Sequence, residues 1–164
     1  TDAITIPRPP ARPAAMDGLP RPGITAERTF RVERRHTTHL FGTQKHPPGL
    51  PAAADADDGD SMRVLGTPQL LAEVEFLGRE SLHGTLPDGT GVAGTSAEVR
   101  HRRAVSVDRS VLVRTELTDV TDRTLTIEGT LSLVDSDRLV GEVVNTLRVV
   151  EREAFLDWID AEDP

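Results

Sequence analysis

The sequence predicts an α+β domain in which one long helix covers one face of a five-stranded antiparallel sheet. Three observations predict it. Residues 67–84 repeat apolar side chains at helical spacing between a helix start and a helix stop. Four other segments alternate apolar and polar residues, as half-buried strands do, and a fifth is apolar on both faces. The core residues are mostly Val and Leu, with 3% aromatic residues and no Tyr, a supply that suits strands. One helix does not cover five strands, so a second copy that covers or extends the sheet is expected.

The elements follow in chain order. Residues 1–27 hold Pro7, Pro9, Pro10, Pro13, Pro20 and Pro22 among few apolar side chains. They read as a flexible, polyproline-like arm outside the core. The folded domain is assigned to residues 28–164. Residues 28–36 alternate, with Phe30 and Val32 on one face, and read as the first strand. Residues 37–66 carry Pro47, Pro48, Gly49 and Pro51, then an Ala/Asp/Gly run ending at Asp60. A long irregular segment in a compact domain suits a lid or binding loop.

The central helix is expected over about residues 67–83. Thr67 is placed as its N-cap, Pro68 sits at the first helical position and Gly84 is the stop. Leu70, Leu71, Val74, Leu77 and Leu82 form one stripe. Glu73 and Glu80 point away from it, whereas Glu75 lies on its flank, between Leu71 and Leu82. A carboxylate at the edge of a buried face must be paired, solvated or functional.

Strands fill residues 92–151. Over 92–103, Ala97, Val99 and His101 share one face, and Glu98, Arg100 and Arg102 the other. Segments 105–118 and 124–134 alternate again, with turns at Asp119–Arg123 and Asp135–Asp137. Residues 138–151 are apolar on both faces, as in a central strand covered on both sides. Phe155, Leu156, Trp158 and Ile159 suggest a short helical or docking tail over 152–164.

Composition narrows the function. The 164 residues suit one domain, which at this size buries roughly 70% of its unfolded surface. A net charge of −8, no basic cluster and few aromatics argue against nucleic-acid binding and against an anionic membrane surface. The absence of Cys excludes disulfides, thiolate metal sites and a Cys nucleophile. With no apolar run of signal-peptide or membrane-span length, a soluble cytoplasmic protein is the expectation.

Three motifs read as structural. Gly89-Thr-Gly91-Val-Ala-Gly94 matches a dinucleotide fingerprint, but a helix precedes it and a strand follows, the reverse of the required context. Asp55, Asp57, Asp58 and Asp60 fit no calcium-loop register and read as a solvated loop tip. His36, His39 and His46 lack metal-ligand spacing, so no metal site is expected. His101 differs. Alternation turns it inward, towards a helix that offers Glu75, and the two make an acid/base pair across a cavity. Thr67 adds a hydroxyl at the helix start, where the helix dipole favours developing negative charge.

With these residues the sequence resembles the hotdog-fold thioesterases, in particular the fluoroacetyl-CoA thioesterase-like branch. That branch carries a Thr at the start of the central helix, a Glu eight residues on and a His on the following strand after a Gly-Thr pair. Here Val64-Leu65-Gly66-Thr67 opens the helix, Glu75 follows, and Gly94-Thr95 precedes His101. His39-Leu40-Phe41 resembles the family's His-Leu-aromatic segment at the lid. The resemblance implies a helix wrapped by a five-stranded antiparallel sheet, in a homodimer with the site at the interface. It implies Glu75 as nucleophile or water-activating base, His101 in proton transfer and carbonyl stabilisation, and Thr67 hydrogen-bonding the carboxylate or substrate. Gly94 and Thr95 would face the carbonyl, with His39 and Phe41 at the substrate. The substrate would be an acyl-CoA or acyl-carrier-protein thioester, with no metal or bound cofactor. Two other functions remain open on the sequence: another reaction on a thioester-linked biosynthetic intermediate, such as addition, cyclisation or dehydration, and non-catalytic acyl binding.

Overall fold

The computed structural model describes residues 15–55 and 62–162. Pro7, Pro9, Pro10, Pro13 and the acidic positions Asp57, Asp58 and Asp60 lie outside the described residues. The elements are β1 (Thr25–Arg31), β2 (Thr37–His39), β3 (Arg63–Leu65), α1 (Thr67–Ser81), β4 (Thr90–His101), β5 (Ser110–Thr121), β6 (Thr124–Leu133), β7 (Leu139–Glu151) and α2 (Arg152–Glu162). Five strands form one antiparallel sheet in the order β1-β5-β6-β7-β4, and β2 pairs with β3 in a small separate ribbon. This is the hotdog architecture expected, with α1 as its central helix.

The hairpins β5–β6 and β6–β7 turn at Asp122 and Asp137, both at positive φ (55° and 53°). Asp tolerates this region because its short side chain bonds locally. Alternation then sends one set of side chains to α1: Val111, Val113 and Leu117 from β5, Leu125, Ile127 and Leu131 from β6, and Val143, Leu147 and Val149 from β7, all buried. Leu70, Val74 and Leu77 of α1 cluster with Val111, Val113, Leu131 and Val143 of this set. The helix lies close because two sheet glycines leave room: a Cβ on Gly129 would stand 2.5 Å from Val74 Cγ1, and one on Gly141 2.5 Å from Leu70 Cδ2. A second cluster gathers around Leu82 just beyond the helix.

Several expectations shift. The first strand begins at Thr25 rather than residue 28 and gives way to a 3₁₀ turn at Arg34–His36. The arm boundary at 27 is too late, since Met16, Leu19 and Ile24 pack on the Leu82 cluster. Segment 37–66, expected to be irregular, contains the β2–β3 ribbon. β7 lies inside the sheet, between β6 and β4, but is covered on one face, and its outward Val144 is exposed. Glu73, expected to point away, has a side chain only 14% exposed. It accepts from Gln69 Nε2 at 2.9 Å and faces Arg28 of β1, which reaches Glu80 as well at 3.2 Å.

Candidate active site

The first half of the site is at the start of α1. Gly66, with φ −77° and ψ 142°, is the N-cap, so Thr67 is the first helical residue and makes no capping bond. Gly66 holds that place because a Cβ there would stand 2.5 Å from Pro48 Cγ and 2.7 Å from Thr38 Oγ1. Its N–H donates to His36 O at 2.9 Å, tying the helix start to the 3₁₀ turn that follows β1. The Thr67 hydroxyl, free of capping duty, lies 2.9 Å from His101 Nδ1 at the end of β4. His101 Nε2 lies 2.9 Å from Arg103 O. A carbonyl only accepts, so Nε2 carries the proton and Nδ1 accepts from Thr67. A hydroxyl bonded to an imidazole that a third group orients is an arrangement suited to proton transfer.

The second half lies midway along α1. The Glu75 side chain is 25% exposed, with Arg79 Nη1 at 4.0 Å. Its carboxylate rests on the bare backbone of Gly94, where a Cβ would stand 3.0 Å from Oε1. Next to Gly94 the β4–β7 register shifts, and Thr95 is left out of the ladder. Its hydroxyl donates to Thr146 O at 3.1 Å. Bulges of this kind re-aim a strand near functional sites. Residues 94–98 are all exposed, along the free edge of β4.

The two halves do not meet within one chain. Glu75 is eight residues past Thr67, about 12 Å along the helix. Gly94 and His101 are separated by about 20 Å of strand. The expected inward face is real, since Ala97 and Val99 sit opposite Asn145 and Val143, whose side chains are buried. Yet His101 is only half-buried and Ala97 is exposed, so the cavity foreseen between His101 and Glu75 is an open edge. A groove of about 1,120 Å³ lies on the other face of the sheet, among Glu27, Arg114, Glu128 and Glu142, and includes none of Thr67, Glu75 or His101.

The segment expected to form a lid adjoins the Thr67 half, where Thr38 Oγ1 faces Gly66. His39 ends β2, its N–H donating to Gln44 Oε1 at 2.8 Å, and its ring lies against Gly42. Phe41 is 79% exposed. His36 is buried and structural: the Glu33 N–H donates to its Nδ1 at 3.0 Å, and Phe30 meets its ring edge-on. Burial, then the charge of Arg35, holds its pKa below the ordinary value. Among the described residues no group of three or more His, Cys, Asp or Glu could hold a metal ion. Sequence reasoning missed the Arg103 carbonyl, which is backbone, and Asn145, buried on the inward face beside Ala97 with its Nδ2 unpartnered. A polar residue in an apolar run was the available signal for Asn145.

Comparison with known proteins adds the family context. Residues 51–153 match the model of the family described as FlK, fluoroacetyl-CoA-specific thioesterase. The fold is similar to that of the fluoroacetyl-CoA thioesterase FlK, at 24% identity and a TM-score of 0.65, covering 90% of this chain and 100% of that one. A hot-dog-like protein from Thermanaerovibrio acidaminovorans superposes with a TM-score of 0.71 at 14% identity, covering 91% and 98%. A Thermus thermophilus hypothetical protein, a thioesterase superfamily member, gives 0.67 at 16%, covering 90% and 97%. Comparison with curated proteins gives no match.

Proposed function

This chain belongs to the fluoroacetyl-CoA-specific thioesterase family and is an acyl thioesterase, and on that premise we propose that it works as a homodimer with two composite sites on the β4 edge. The observation that carries the reading is the split itself. Thr67 and His101 sit together at one end of an exposed edge strand, and Glu75 and Gly94 together further along it. Antiparallel pairing of β4 with its own copy, about a two-fold axis near residues 97–98, sets Gly94 of one protomer opposite His101 of its partner. Each site then holds Glu75 from one protomer and the Thr67–His101 pair from the other.

The substrate is an acyl-CoA or acyl-carrier-protein thioester. Its carbonyl oxygen faces the backbone N–H groups around Gly94 and Thr95, which stabilise developing negative charge. Glu75 takes a proton from water, and the resulting hydroxide attacks the thioester carbon. The tetrahedral intermediate collapses with cleavage of the C–S bond, and the proton that Glu75 took from water passes by way of the Thr67–His101 pair to the leaving thiolate, which restores the carboxylate. The alternative in which Glu75 attacks directly uses the same groups. His39 and Phe41 border the mouth and contact the acyl group or its carrier.

Complementation tests the reading. Glu75→Ala and His101→Ala each remove most activity, by roughly 10²–10⁴-fold for a lost acid/base group. A mixed dimer of the two variants keeps one intact site. Statistical pairing of equal amounts therefore restores about a quarter of the native rate. A mixture as inactive as either parent, with mixed dimers verified by mass, would sink the composite site.

A further inference from the structure

The C-terminal helix α2 is exposed along its described side chains, residues 152–161. Phe155, Leu156, Trp158 and Ile159 nevertheless fall within one stripe at helical spacing, with Glu153, Asp157 and Asp160 on the opposite side. Trp158 is 56% exposed, and its ring centroid lies 5.7 Å from that of Phe155. A contiguous apolar stripe on an amphipathic helix calls for a surface to cover it. A second uncovered apolar group lies in the lid, made of Leu40, Phe41 and Met62.

We propose that α2 of one protomer packs its apolar stripe on the lid of the other, against Leu40, Phe41 and Met62. The inference rests on the dimer proposed above. Within one chain the two surfaces sit near opposite ends of β4, about 35 Å of strand apart. α2 leaves β7 beside the start of β4, where Thr90 pairs with Glu151 and the Arg152 N–H donates to Gly89 O at 2.9 Å. The lid is tied to the far end. The Leu65 N–H donates to Val105 O at 2.8 Å, Met62 precedes that strand, and the Leu40 N–H donates to Met62 O at 3.1 Å. The register that sets Gly94 opposite His101 also brings Thr90 of one protomer close to Val105 of its partner. The two-fold thus carries each α2 to the lid of the other chain, continuous with the β4 contact. An 11-residue helix spans about 16 Å, enough to reach from the strand end across the lid.

Trp158 is the single Trp of the chain, so its fluorescence reports on α2 alone. The experiment measures, on the full chain, molecular mass, the emission maximum of Trp158 and its quenching by acrylamide. The expected result is a dimer with blue-shifted emission and a quenching constant several-fold below that of free indole. Met62→Asp should shift emission to the red and raise quenching without dissociating the dimer. An active dimer whose Trp158 is quenched as freely as indole overturns this inference and leaves the composite site standing. A shielded Trp158 indifferent to Met62→Asp also overturns it, since α2 is then covered by something else. A monomer overturns both readings.

Discussion

Thr67 is the residue whose role changes most between sequence and structure. As an N-cap its loss would cost about 1 kcal/mol of stability. With Gly66 in the cap position, the hydroxyl bonds His101 instead. Thr67→Val is therefore expected to leave the urea midpoint nearly unchanged, within about 0.5 kcal/mol, while hydrolysis falls steeply. A stability loss of capping size with activity retained would return Thr67 to a structural role. His36 gives a second expectation. Its pKa is lowered in the fold, so below 6.5 the unfolded chain binds more protons than the native one. Stability therefore falls as pH drops from 6.5 towards the folded pKa, and is flat above that window. His36→Asn keeps an acceptor for the Glu33 N–H and should remove that slope in denaturation curves across the window. The inward turn of His101 was legible because alternation has a period of two. Its partner was not, because the Arg103 carbonyl belongs to a backbone path that side-chain chemistry does not encode.

At the scale of elements, the helix and the hairpins were legible and their edges less so. Thr67, Pro68 and Gly84 punctuate α1 strongly, yet the helix closes at Ser81, where Leu82 takes the C-cap and buries itself in the second cluster. β1 starts early because Ala26 faces the core before Phe30 does, and one small side chain gives a weak periodic signal. The environment of Glu73 was hidden because Arg28 comes from a distant strand. The helix–sheet contact is tight at Gly129, and Gly129→Ala should cost about 1–3 kcal/mol through overpacking against Val74. Chemical denaturation monitored by far-UV circular dichroism would read that loss as a lowered midpoint.

For the whole molecule, hairpin lengths predicted that β5, β6 and β7 lie side by side, but not where β4 goes. It joins β7 at the far edge from β1. That placement leaves the 94–98 stretch exposed and divides the site between two ends of one strand, which residue spacing alone left as a single pocket. Ala97 lies next to the proposed axis, so Ala97→Arg would set two like charges across it. The expected outcome is a folded monomer with little hydrolysis, read by sedimentation and a thioester assay. A fully active monomer would contradict the shared site. The bulge at Thr95 carries a further consequence, best stated as parity. Seven positions separate Gly94 from His101, an odd number, and in a regular strand they would point to opposite faces. The unpaired Thr95 absorbs one step, so both face α1. Inserting one residue between Ser96 and His101 would break that parity and turn one of them out of the site, with no chemical group of the machinery removed.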